Sequence, residues 1–168
     1  RQAAAGLSQA DETRWMVFVE REGKKGYRWW LWVFLSDEAV VFRLAPSRSH
    51  EVPEGHFPED AIVVLMVDRY SAYKAMAQVK QGNIVLVFCW AHVRRDFVEV
   101  GKGWPNLKEW ALVWLRHIRE LYRLNRLRLA AEPDSAEFRE ADTGLRQSIL
   151  AMREQRDGEL SENKLRSP

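Results

Sequence analysis

Residues 61–92 read AIVVLMVDRYSAYKAMAQVKQGNIVLVFCWAH, and this stretch decides the fold. Ala61 to Val67 is an unbroken apolar run, short and rich in β-branched residues, as a strand buried on both faces is. Ser71 to Lys80 follows with Tyr73, Met76, Ala77 and Lys80 at helical spacing. Gly82 stands where a helix C-terminus takes glycine. Ile84 to Phe88 is a second short apolar strand. Strand, helix and strand of this length predict a parallel crossover unit.

Upstream, the pattern is that of strands. Trp15 to Glu20 and Tyr27 to Leu35 flank Gly-Lys-Lys-Gly (23–26), a hairpin signal. Ser36-Asp37 is a turn signal, and Ala39 to Leu44 is a third strand. Three strands with short connections predict an antiparallel meander. Pro46, Pro53 and Pro58 make the next segment irregular; Ser47 is placed to cap a short helical turn that Pro53 limits.

Downstream, the pattern is helical. Trp90 to Val100 reads as a helix stopped by Gly101 and Gly103. Leu107 to Leu129 is long and amphipathic, with Leu107, Trp110, Ala111, Trp114, Leu115, Ile118, Leu121, Tyr122 and Leu129 on one stripe. Asp134 and Glu137 form a capping-box pattern ahead of a last helix that Gly158 breaks. The tail from Glu159 to Pro168 reads as polar and frayed. The predicted fold class is therefore α/β: a mixed five-stranded sheet with flanking helices, in the strand order of the ribonuclease H-like fold, followed by a helical insertion. The predicted division is a core over residues 8–100 and the insertion over 101–168.

Composition narrows the classes. The 168 residues carry 26 Lys plus Arg and 24 Asp plus Glu, and 46% of them are apolar, which excludes wholesale disorder. The longest apolar runs are seven residues, against the roughly 20 that a membrane helix needs. One cysteine excludes a disulfide framework and suits a reducing compartment. The near-neutral charge is segregated: residues 94–128 hold nine basic and four acidic side chains, whereas 132–168 hold six and nine. A basic block is the footprint of a polyanion partner, or else a solvated helix face. Arg116, Arg119, Arg123 and Arg126 share one side of the long helix at three- and four-residue spacing. The chain starts at Arg1 without an initiator methionine and reads as a piece of a longer protein.

Asp11 is expected at the start of the first strand and Asp68 directly after the fourth. Ligands gather at the carboxyl ends of parallel strands. If strands one and four are neighbours, Asp11 and Asp68 converge, and converging carboxylates hold hard divalent cations such as magnesium. The alternative is a pair of turn or cap aspartates. Cys89 and His92 form Cys-x-x-His, half a zinc site by spacing, with His50, His56 and His117 as sources of the other half. The alternatives are a small buried thiol beside a hydrogen-bonded imidazole, and a Cys–His nucleophilic pair. Arg48, Arg69, Arg94 and Arg95 are placed to neutralise phosphates near the carboxylates, or to form surface ion pairs. Tyr73 reads as core, and Tyr70 as a stacking or packing residue.

Five motifs in order carry a more specific reading. They are ADETRW (10–15), WLWVF (30–34), PSRS (46–49), VDRYSAY (67–73) and CWAHVRRDF (89–97). Together they resemble the central catalytic domain of the insertion-sequence-66 family of bacterial transposases. The resemblance implies a ribonuclease H-like core with a triad of two aspartates and one glutamate. Asp11 matches the first aspartate and Asp68 the second, although many relatives have Asp-Gly where this chain has Asp68-Arg69. Cys89 and His92 match a Cys-x-x-His signature of several such transposase groups. The third acidic residue is expected in an Asn-Asn-x-x-Glu-Arg type motif, which does not occur before Pro168; Glu154, Glu159 and Glu162 lack its context. The resemblance further implies two Mg2+ or Mn2+ ions, hydrolysis at transposon ends, strand transfer into target DNA, homo-oligomerisation and a bacterial cytoplasmic, nucleoid-associated setting. It implies that this chain alone is catalytically incompetent. A resolvase-like nuclease of the same fold, and a non-catalytic DNA-binding or oligomerisation remnant, are the other readings.

Overall fold

The computed structural model describes residues 6–21 and 23–162. Two compact units divide the chain, one running through His92 and the other starting at Val93.

The first unit is built on a five-stranded mixed sheet. Its strands are β1 (Leu7–Arg21), β2 (Lys24–Ser36), β3 (Val40–Ala45), β4 (Val63–Val67) and β5 (Ile84–Phe88), in the order β3-β2-β1-β4-β5. β1–β2 and β2–β3 pair antiparallel, the predicted meander; β1–β4 and β4–β5 pair parallel, the predicted crossover. Between the strands lie α1 (Glu51–Glu54), α2 (Ser71–Ala75) and α3 (Ala77–Lys80).

The first strand begins well before its predicted start. Leu7 to Arg14 alternate too weakly to read as a strand alone, and pairing with β2 on one side and β4 on the other makes them one. Asp11 is therefore inside β1, opposite Val33, rather than at the strand's start. Alternation along β1 and β2 sends Ala10, Trp32 and Phe34 into the core, with Leu65, Val67, Tyr73, Met76 and Ile84. Trp32 and Phe34 are fully buried and stacked, ring centroids 6.4 Å apart. Each such side chain contributes about 1.5–3 kcal/mol on burial.

The single helix predicted over 71–80 is broken at Met76, whose ψ of 140° is extended. The break lets Met76 bury completely, and the Glu54 carboxylate accepts the N–H of Ala77 (3.1 Å) where α3 begins. Gly82 has φ +82°, the left-handed conformation that ends the helix as its sequence position predicts. α1 includes Pro53 in its first turn, where the missing N–H costs nothing, and its N-cap is His50 rather than Ser47.

α4 (Trp90–Gly103) spans the boundary between the units, and the second unit continues through a 3-10 turn (Pro105–Leu107), α5 (Lys108–Ala130) and α6 (Ala136–Ser161). α5 and α6 are joined by five residues as a helical hairpin and bury Trp114, Ile118, Leu121 and Met152 together, with Phe97 stacked on Trp114 at 5.5 Å. Three boundaries differ from expectation. Gly101 and Gly103 do not stop α4, because glycine inside a helix costs only about 1 kcal/mol. Ser135, not Asp134, caps α6, its Oγ accepting the Phe138 N–H (3.0 Å) while Asp134 takes φ 62° in the loop. Gly158 does not break α6, and Glu159 is anchored: its carboxylate accepts the indole N–H groups of Trp110 (2.9 Å) and Trp114 (3.1 Å). The rest of the predicted tail, residues 163–168, lies outside the described residues. No helix among the described residues is long and apolar enough to cross a membrane.

Candidate functional site

The parallel pairing of β1 with β4 joins Leu7 to Val64, Ser8 to Leu65 and Gln9 to Met66. Each pair is 57 positions apart, which is also the separation of Asp11 and Asp68. β4 ends at Val67 while β1 runs on along β2. The two aspartates therefore stand level at the point where the parallel strands part, at the carboxyl edge of β4. Both line one cavity of about 140 Å3, together with Val33, Met66, Cys89 and His92.

Each wall has a local cause. Asp68 begins an Asx-type turn, its Oδ1 accepting the Tyr70 N–H at 2.8 Å. Cys89 continues the β4–β5 ladder by donating its N–H to the Val67 carbonyl at 2.9 Å. The His92 Nε2 atom is 3.9 Å from Asp11 Oδ2, and its buried Nδ1 has no hydrogen-bond partner among the described residues. Asp11 is half exposed and accepts the N–H of Glu12 (2.9 Å).

On the opposite face of β1, one residue along, Glu12 is fully buried at its side chain. It accepts hydrogen bonds from the Tyr73 hydroxyl (2.6 Å) and from Arg48 Nε (2.8 Å). Burial pushes the Glu12 carboxyl above the usual carboxylate range, against the pull of Tyr73 and Arg48. Burial, then the bond to Glu12, pushes the Tyr73 phenol up as well. The Arg48 guanidinium lies over the rings of Tyr70 (3.7 Å to the centroid) and Trp30 (4.6 Å), and the Tyr70 hydroxyl donates to the Arg48 carbonyl (3.1 Å).

The expected residues thus separate into groups. Asp11, Asp68, Cys89 and His92 come together in one cavity. Arg48 sits behind it, engaged by Glu12. Arg69 follows Asp68 and is exposed. Arg94 and Arg95 are exposed on α4 in the second unit, and Arg116, Arg119, Arg123 and Arg126 are exposed on α5, with Arg123 forked onto Glu120 (2.8 and 2.6 Å). The histidines considered for a zinc half-site are occupied elsewhere: His50 with Glu54 (3.0 Å), His56 stacked on Phe34 (3.8 Å), and His117 with Gln155 (2.9 Å) in the other unit.

Glu12, which Arg48 and Tyr73 engage, and Trp30, which packs on Arg48, escaped sequence reading as site residues. The available signal was alternation: in β1 an acid beside Asp11 must point to the face of Ala10 and Trp32, and a carboxylate aimed into a core needs partners.

The donor set of the cavity fits a hard divalent cation. Magnesium takes one or two carboxylates and keeps several waters or substrate oxygens, so Asp11 and Asp68 suit it without a closed protein cage. Among the described residues no group of three or more His, Cys, Asp or Glu side chains forms such a cage.

Comparison with known proteins adds a family. The model described as "Transposase IS66 family" matches residues 1–167. The uncharacterized protein y4qI of Sinorhizobium fredii (strain NBRC 101917 / NGR234) is 32% identical over 105 residues, covering 54% of this chain. The match spans 19% of that relative's length.

Proposed function

The chain belongs to the IS66 family of transposases, and from that premise we propose that its sheet unit is a ribonuclease H-like core acting on DNA phosphodiesters. The observation that carries the reading is the register of β1 against β4, which brings Asp11 level with Asp68 at one cavity.

In this reading Asp11 and Asp68 are two of the acidic residues that hold Mg2+ or Mn2+. A divalent cation at such a site supplies charge stabilisation of phosphoryl oxygens and a more acidic attacking water or hydroxyl. The reaction is hydrolysis at a transposon end, in which water adds to phosphorus as the bond to the 3′ oxygen breaks. The freed 3′-hydroxyl then attacks a target phosphodiester and displaces its 3′ oxygen. Cys89 and His92 line the same cavity, and His92 is close enough to Asp11 to restrain its carboxylate. Arg69, Arg94 and Arg95 are assigned to phosphate contacts, and Arg116, Arg119, Arg123 and Arg126 to DNA backbone along α5. Arg48 is assigned here to the site's support, with its charge already committed to Glu12.

Two carboxylates line the cavity among the described residues, and a two-ion centre uses more. The 168-residue chain is thus expected to bind metal without transferring strands by itself, and the intact reaction to need a further acidic residue and an oligomer. Calorimetric titration of the chain with Mn2+ tests the assignment. Binding is expected in the wild type and is lost in Asp11→Asn and in Asp68→Asn. Equal binding by all three proteins would sink the proposal.

A further inference from the structure

Backbone pairing between β1 and β4 ends at Gln9 and Met66, so it does not reach the level of Asp11 and Asp68. Something else must set the spacing of the two carboxylates. We propose that Arg48 is a positioning residue that clips the two aspartates' neighbours together from behind the sheet; the proposal rests on the reading of Asp11 and Asp68 as metal ligands.

The connection is continuous. Glu12 is the next residue after Asp11, and its carboxylate is gripped by Arg48 through Nε at 2.8 Å and through a second nitrogen. The same guanidinium lies 3.7 Å above the Tyr70 ring, and the Arg48 backbone carbonyl receives the Tyr70 hydroxyl at 3.1 Å. The Tyr70 N–H in turn holds Asp68 Oδ1 at 2.8 Å. The guanidinium also lies over the Trp30 ring, 4.6 Å from its centroid. Tyr73 supplies a second donor to Glu12 at 2.6 Å from α2, the helix that follows Asp68 directly. Asp11 and Asp68 are thus joined through Glu12, Arg48 and Tyr70, with every link a hydrogen bond, a ring contact or an adjacent residue.

The residue types fit this role. Arginine alone offers a planar fork for a carboxylate and a flat face for two rings at once; lysine keeps the charge and loses both. The Glu12 side chain is fully buried, so its charge needs a partner held in fixed geometry. The ion pair also places no net charge behind the cavity. Outer partners of this kind orient metal ligands, and their loss typically costs about 10–100-fold in metal affinity.

The test measures Mn2+ affinity by electron paramagnetic resonance, and exchange of the Tyr70 amide proton by NMR, in the 168-residue chain. Arg48→Lys is expected to keep the circular dichroism spectrum, weaken Mn2+ by about 10–100-fold and speed Tyr70 exchange. Glu12→Gln is expected to do the same, and the double variant to be no worse than either single change. A folded Arg48→Lys protein with wild-type Mn2+ affinity overturns the proposal. Should Arg48→Lys fail to fold, Tyr70→Phe carries the test, because it removes only the bond to the Arg48 carbonyl; unchanged Mn2+ affinity in that variant overturns the proposal equally. If the wild type binds no Mn2+, the metal reading fails, and Tyr70 exchange alone decides whether Arg48 holds Asp68: unchanged exchange in Arg48→Lys overturns it.

Discussion

Replacing Glu159 by alanine should destabilise the helical hairpin, although sequence places this residue in a polar tail. The carboxylate lies in the last turn of α6, where bare carbonyls make a negative charge unfavourable. It is held there by three donors: the indoles of Trp110 (2.9 Å) and Trp114 (3.1 Å) on one oxygen, and Gln155 Nε2 (2.8 Å) on the other. A hydrogen bond to a charged group contributes about 1.5–3 kcal/mol, and a buried indole left without an acceptor adds a desolvation cost. The site is only part-buried, so the low end applies to each bond. Three such bonds, less about 0.3–1 kcal/mol for the relieved charge–dipole repulsion, put the cost of Glu159→Ala at about 3.5–4 kcal/mol. Glu159→Gln keeps an acceptor but not the charge, and neutral bonds are roughly half as strong, so its cost should be about half as large. Urea titration followed by circular dichroism at 222 nm measures both, with amide exchange in α5 and α6 locating the loss. A Glu159→Ala midpoint equivalent to within about 0.5 kcal/mol of wild type, as for an ordinary surface change, would refute the reasoning.

Other expectations concern both units. Gly101 lies inside α4 with an ordinary 3.4 Å approach from its added Cβ to the Cβ of Ala111, so Gly101→Ala should stabilise by about 0.5–1 kcal/mol in thermal melts. Gly82→Ala should instead destabilise by about 1–2 kcal/mol, because φ is +82° there, while among the described residues nothing lies within 4 Å of an added methyl group. His56 lies flat on Phe34, and burial, then Arg43, lowers its pKa below 6.5. Its neutral form is the folded form, so stability is intact above pH 6.5 and falls as pH drops through the lowered value; urea midpoints between pH 7.5 and 5 should show this slope, and His56→Gln should remove it. Changing Arg116, Arg119, Arg123 and Arg126 to Gln should flatten the log–log salt dependence of DNA binding by about 0.9 per lost phosphate contact; an unchanged slope would make the stripe a solvated face.

The fold was legible where one segment's pattern sufficed. The apolar run at 61–67 and the helix signals between Ser71 and Gly82 announced the crossover, and the Gly23–Gly26 signal announced the hairpin. Where a second segment decides, the sequence was silent. Leu7 to Arg14 become strand only by pairing, with β4 over Leu7 to Gln9 and with β2 from Ser8 onward, so Asp11 was read at the wrong point of β1. Met76 breaks its helix because burial there outweighs helical propensity. Glu159 was read as tail because its indole partners lie on another helix. The two aspartates were visible from their places beside strands and from the motifs around them. The pairing of buried Glu12 with Arg48 was not, since it joins β1 to the β3–α1 connection, 36 positions away in sequence.

The account stands on Asp11 and Asp68 sharing one bound ion. A double-mutant cycle on Mn2+ affinity, using Asp11→Asn, Asp68→Asn and the double variant, tests this most directly. The account predicts one ion per chain, bound about 100-fold or more weakly by each single variant, beyond what outer partners contribute, and more weakly still by the double variant, because both carboxylates ligate the same ion. A single variant that loses one site while keeping another at wild-type affinity, or singles that bind as the wild type does, would contradict it.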